Sequence, residues 1–186
     1  NECEKLALYV GARDAIRLED VQIIVSQTKN AKAFAVGEAL GERNLSKVLK
    51  TLDEELWSIG RDSQRSEIGL LYGLISKIRG LLFIKELLAN KLIRPVDDFF
   101  PFNAQVESLP KDLLQEGSPL ANMNAYPLFR AMMQHKNYSR EELVSAMSLL
   151  LKCNQQLIFS SLDKSLVLQQ TLIEIVNGAK AASKAA

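Results

Sequence analysis

From Leu45 to Leu56, and again from Ile68 to Leu88, apolar residues recur in steps of three and four, while strict alternation of apolar and polar residues is nearly absent from the chain. That period places apolar side chains on one face of an α-helix and denies a strand a consistent core side. An all-α fold is expected. In the first stretch Leu45, Val48, Leu49, Leu52 and Leu56 trace one face. Asn44 stands where an N-cap belongs, and Gly60 stops the helix. In the second, Ile68, Leu71, Ile75, Ile78 and Leu82 form a stripe that Leu74, Leu81, Ile84 and Leu88 widen. This predicts a long helix over about 66–90, buried on more than one side.

Shorter helices are predicted on either side. One covers Glu2 to Val10, with Leu6 and Tyr9 on one face and Gly11 as its stop. Another runs from about Leu18 to Ser26, with Glu19 and Asp20 in the first turn where the helix dipole favours them. A third spans roughly Ala31 to Leu40, weakened by Gly37 and Gly41 and so dependent on packing. Polar residues Arg61 to Ser66 form a joint. All five prolines lie between Pro95 and Pro127, and Phe99, Phe100 and Phe102 fall in the same stretch. An ordered insertion over about 91–126 is expected, packed on the helices, with one helical turn near Lys111 to Gln115. Helix returns at Pro127, with Leu128, Phe129, Met132 and Met133 inward. Ser139 and Glu142 form a capping box, with Tyr138 set to staple onto Leu143. The helix behind it presents Leu143, Met147, Leu150, Leu151, Leu157 and Ile158. A last helix covers about Ser165 to Val176 and stops near Gly178.

Composition narrows the function. Of 186 residues, 47% are hydrophobic and 24% charged, enough for a core without a disulfide or metal staple. The net charge is +1, from 23 basic and 22 acidic side chains, so contact with DNA would be local or indirect. Cys3 and Cys153 have no metal-ligand spacing and read as free thiols of a reducing cytoplasm. No apolar run suits a bilayer and no signal peptide is evident. Because the chain opens on Asn1 directly in a helical pattern, it is expected to be part of a longer protein.

Catalytic patterns are thin. There is no phosphate loop, dinucleotide turn or metal cluster. His135 is the one histidine and has no carboxylate or nucleophile at helical spacing. The pairs Glu54–Glu55 and Asp97–Asp98 read as solvated faces, because adjacent helical residues do not face each other. Arg61, Arg65, Lys77, Arg79 and Lys85 would meet either a phosphate backbone or solvent. The core stripes read as purely apolar, which leaves no enzyme site at core positions. Met123, Met132, Met133 and Met147 read as core filler.

The order of these features resembles the delta subunit of the bacterial DNA polymerase III clamp loader. The matching positions are Glu2, Glu4, Lys5, Leu6 and Tyr9; Ile16, Asp20 and Val21; Phe34, Ala39, Leu40, Arg43 and Asn44; Leu49 and Leu52; Ile78, Arg79, Leu81, Leu82 and Lys85; and Tyr126, Pro127, Tyr138, Ser139 and Leu143. Two features depart from it. The stretch from Pro95 to Asn124 is longer than the usual connector. Asn154, Gln155, Gln156 and later Gln169 stand where the family tends to carry charges. Both mark a divergent branch.

The resemblance implies a three-helix AAA+ lid-like domain over 1–61 and a helical collar, an oligomerisation domain, over 62–186. It implies no cofactor, no metal, no catalysis by this chain itself, and a role as a subunit of a DNA polymerase holoenzyme in the cytoplasm. Its partners would be the other clamp-loader subunits, through the collar. The sliding clamp would be met through an N-terminal domain outside this sequence, and DNA weakly or indirectly, with no membrane. The alternatives are a stand-alone helical interaction module or another clamp-loader subunit. Within the insertion, Phe99, Phe100 and Phe102 are candidate anchors for a neighbour. Gln105-Val106-Glu107-Ser108-Leu109 is similar to the glutamine-and-leucine peptides that dock on the sliding clamp, which makes Gln105 and Leu109 candidates too. Equally, Leu109 would pin the loop to the bundle.

Overall fold

The computed structural model describes residues 2–11, 13, 15–17, 29–60, 66–110 and 125–178. Among them are eight α-helices and no strand: α1 (Glu2–Val10), α2 (Lys29–Gly41), α3 (Leu45–Ile59), α4 (Glu67–Ala89), α5 (Phe99–Glu107), α6 (Ala125–Gln134), α7 (Arg140–Phe159) and α8 (Lys164–Asn177). A 3-10 turn, His135–Asn137, links α6 to α7. The helix expected at Leu18–Ser26, most of the joint at Arg61–Ser66, the turn at Lys111–Gln115 and the tail lie outside the described residues.

Local chemistry sets the helix starts. Asn44 Oδ1 accepts from the Lys47 amide at 3.0 Å, Ser66 Oγ from Gly69 at 3.1 Å, and Asp163 Oδ1 from Leu166 at 3.0 Å. Each satisfies an amide that the first helical turn leaves without a partner. The capping box is complete: Glu142 N donates to Ser139 Oγ at 3.1 Å, and Ser139 N donates back to Glu142 Oε2 at 2.7 Å. α5 was not expected as a helix. Pro101 is its third residue, a first-turn position where the missing amide hydrogen breaks no ladder bond.

α4 is the axis of the fold. It packs on α2, α6, α7 and α8, while α3 packs on α2 and α8. One apolar cluster runs through all of these helices, from Val36 to Val176. Leu71, Ile78, Leu81 and Ile84 of α4 are fully enclosed in it. From the insertion, Ile93, Phe102 and Leu109 join the same cluster.

Several side chains sit elsewhere than their spacing suggested. Val10, not Tyr9, is buried with Leu6 on α1. Met133, Leu151 and Ile158 face outward, while Ala146 and Cys153 take core positions on α7. Glu55 is buried rather than on a solvated face. For the outward residues the cause is that a helix packing on one side buries a stripe narrower than its apolar content.

Candidate functional site

Two features stand out. One is a polar lattice inside the bundle; the other is an apolar groove on its outside.

The lattice centres on Glu38 of α2, which is 8% exposed. Its carboxylate accepts from Lys77 Nζ of α4 at 2.6 Å, from Arg130 Nε of α6 at 2.7 Å, and from Gln134 Nε2 at 3.1 Å. Burial pushes the Glu38 carboxyl up, but the bonded Lys77 and Arg130 cations outweigh it and hold the group below the usual carboxylate range. Burial lowers Lys77, opposed by the same carboxylate. Gln134 Oε1 is buried with no partner among the described residues. Gly41 makes the approach possible: a Cβ there would run into Gln134 Oε1 and lie 2.6 Å from Lys77 Cε.

A second clamp lies close by. Arg43, in the left-handed region at φ 56°, sends its guanidinium to both Glu142 carboxylate oxygens, to the Val176 carbonyl at 3.0 Å and to the Asn137 carbonyl at 2.7 Å. It also lies 4.7 Å over the Tyr138 ring. The Tyr138 hydroxyl donates to the Leu40 carbonyl at 2.7 Å, and burial pushes that phenol up. Glu142 is held low, chiefly by Arg43 and then by its bond from the Ser139 amide. In both networks each carboxylate is held by cations and further hydrogen bonds from other helices, an arrangement that suits holding helices in place more than proton transfer.

The outer groove lies between α4 and α7. Tyr72, Ile75, Met147, Ser148, Leu151 and Asn154 line a space of about 320 Å³. Tyr72 is 61% and Leu151 59% exposed. Beyond it, Val144, Ile158 and Phe159 of α7 are exposed, as are Leu162 and Leu166.

The candidate contacts from the insertion divide. Phe102 is fully buried and Leu109 is 5% exposed. Phe99 is half-buried in a ring cluster with Phe100, Tyr126 and Phe129, at centroid distances of 5.7–6.1 Å. Phe100 is 84% exposed. The Gln105 amide is bonded to Arg94 in both directions, accepting from its N at 2.6 Å and donating to its O at 3.3 Å.

Elsewhere, His135 Nδ1 lies 2.5 Å from the Met132 carbonyl oxygen. Among the described residues no group of three or more His, Cys, Asp or Glu could hold a metal ion. Cys153 is a buried free thiol, pushed up by burial. No described helix is long and apolar enough to cross a membrane. Lys77 is an inner ion-pair partner and not a solvated cation, whereas Arg79 is exposed.

Apolar spacing alone presents the core stripes as apolar throughout and does not show the lattice. A signal was present: Leu70, Leu74, Lys77, Leu81 and Ile84 keep one 4-3-4-3 rhythm, with Lys77 in the buried series.

This all-helical arrangement shares its fold with a solved clamp-loader protein. That protein is the Bacillus subtilis DNA clamp loader delta protein (YqeN), with a TM-score of 0.63 and 18% sequence identity. The likeness covers 95% of this chain and 44% of that one, so this chain spans less than half of its length. No protein-family model matches the sequence, and no curated protein does.

Proposed function

We propose that this chain is the assembly portion of a delta-type clamp-loader subunit, non-catalytic in itself and working in the cytoplasm during DNA replication. Residues 1–61 act as a lid-like unit and 62–186 as the collar, with the insertion over about 91–126. The observation that carries the reading is a fold shared with a clamp-loader delta protein over 95% of the chain. The polar networks add support, since they fasten α2 and the turn after it onto α4, α6, α7 and α8. Other loader subunits bind through outward helix faces, with area and affinity summed over several contacts. The sliding clamp is met through a domain outside this sequence, and DNA only indirectly.

Within the insertion, Phe100 is the aromatic that we assign to partner contact, supported by its exposure at the edge of a ring cluster. Docking of Gln105–Leu109 on a clamp would first have to free Leu109 from the core and Gln105 from Arg94.

A pull-down of the 186-residue chain against the remaining loader subunits and the sliding clamp, at low and high salt, tests the reading. Capture of loader subunits without the clamp is expected. Capture of the clamp alone would favour the Gln105–Leu109 peptide. Capture of neither would leave a stand-alone helical module.

A further inference from the structure

The last carbonyls of an α-helix have no partner inside it. At the end of α2 they find donors in the other half of the chain. Asn137 Nδ2 donates to the Gly41 carbonyl at 2.8 Å, and the Tyr138 hydroxyl donates to the Leu40 carbonyl. Gln134 Nε2 reaches the Glu38 carbonyl at 3.4 Å as well as its carboxylate. At the end of α8 the exchange runs the other way. There the Val176 carbonyl accepts from Arg43 Nε, and Arg43 stands in the turn that follows α2. Each half of the chain thus caps a helix of the other.

The apolar contacts follow the same course. Val36 and Leu40 of α2 and Val48 and Leu52 of α3 are fully enclosed, in one cluster with Leu71, Ile78 and Leu168. Two domains free to shift keep a core each and meet through a smaller, more polar surface. Here the core is shared. At its rim, Gln169 Nε2 of α8 donates to Asp53 Oδ1 of α3 at 3.1 Å. Within it, Glu38 and Lys77 join α2 to α4 with side chains only 10% and 8% exposed.

We infer that reciprocal helix capping locks α2 and α3 to the bundle, so that residues 29–60 and 66–178 move as one rigid body and the boundary expected at 61/62 is not a hinge. A displacement imposed on α2 or α3 is handed on to α7 and α8 instead of being absorbed at the joint. The lock does not depend on the assembly reading above, and loader subunits play no part in its test.

A protease recognition sequence inserted after Gly60 of the 186-residue chain allows the backbone to be cut after folding. The cut chain should elute from gel filtration as one species and unfold in one transition. Dilution of the cut chain, with a fluorophore on one piece and anisotropy as the readout, gives the affinity between the pieces. Glu142→Gln should weaken it about tenfold, the scale of a charge-assisted hydrogen bond lost across the joint. Tyr138→Phe keeps the ring under Arg43 and removes only the hydroxyl, and should weaken it about fivefold. Glu86→Gln removes an exposed ion pair between α4 and α7, both on one side of the cut, and should leave the affinity unchanged.

Pieces that part on gel filtration, or two separate unfolding transitions, would overturn the inference. Glu142→Gln and Tyr138→Phe pieces that hold together as tightly as wild type would overturn it too, by leaving the caps no share in the joint. An equal loss from Glu86→Gln would do the same, by making the effect one of general stability.

Discussion

Arg43 and Glu142, 99 residues apart, meet in a two-pronged ion pair with N–O distances of 2.6 and 3.0 Å. The arginine closes the turn between α2 and α3, and the glutamate is also the third residue of α7 and half of its capping box. One carboxylate therefore starts a helix and fixes a distant turn to it. Glu142→Gln should lower stability by about 2 kcal/mol, in line with the loss of charge-assisted hydrogen bonds at a part-exposed site. Chemical denaturation at neutral pH measures it.

Acid should erase that difference. The folded Glu142 carboxyl is held below its ordinary value, so its contribution is fully present above the unfolded carboxylate range. It is lost as pH falls through the depressed folded value. Wild type and Glu142→Gln should converge in stability below about pH 4, the unfolded glutamate range. A gap that stays constant down to acid would mean that the pair contributes nothing by charge.

Lys77 and Arg79 are two residues apart on α4 and should behave oppositely. Lys77→Met leaves the buried Glu38 carboxylate short of one of its two cations. A loss of about 3 kcal/mol is expected, the scale for breaking one side of a buried pair. Arg79→Met, at an exposed position, should stay within about 0.5 kcal/mol. Thermal melts of the two variants side by side decide it.

Two glycines make a comparable contrast. Gly41→Ala drives a Cβ into Gln134 and Lys77. It should destabilise by about 1–3 kcal/mol, the cost of overpacking. Gly73 of α4 has nothing within 4 Å of its Cβ position. Gly73→Ala should therefore stabilise by roughly 0.5–1 kcal/mol through helix propensity.

The insertion separates core from contact. Phe102→Ala should lose about 3–5 kcal/mol, as for other enclosed phenylalanines. Phe100→Ala should melt as wild type does and weaken capture of loader subunits. If Phe100→Ala leaves capture untouched, that contact assignment fails.

Much of the bundle was legible because its signals are local. Asn44 and the Ser139–Glu142 box each fix a helix start within three residues of chain, and both act in the structure as their spacing indicated. α5 was hidden because Pro101 and three phenylalanines read as a loop, although a first-turn proline is harmless to a helix. Outward Leu151 and Ile158 were hidden for a different reason. Periodicity reports that a helix has an apolar face, not whether this chain or another covers it. The lattice of Glu38, Lys77, Arg130 and Gln134 depends on three helices meeting, with Glu38 and Gln134 96 residues apart, and no short window contains that.

Sedimentation velocity of the chain mixed with the remaining clamp-loader subunits tests the assembly role most directly. The account predicts a single faster-moving species that contains the chain in defined stoichiometry. Separate boundaries for the chain and the other subunits at every concentration and salt tried would contradict it.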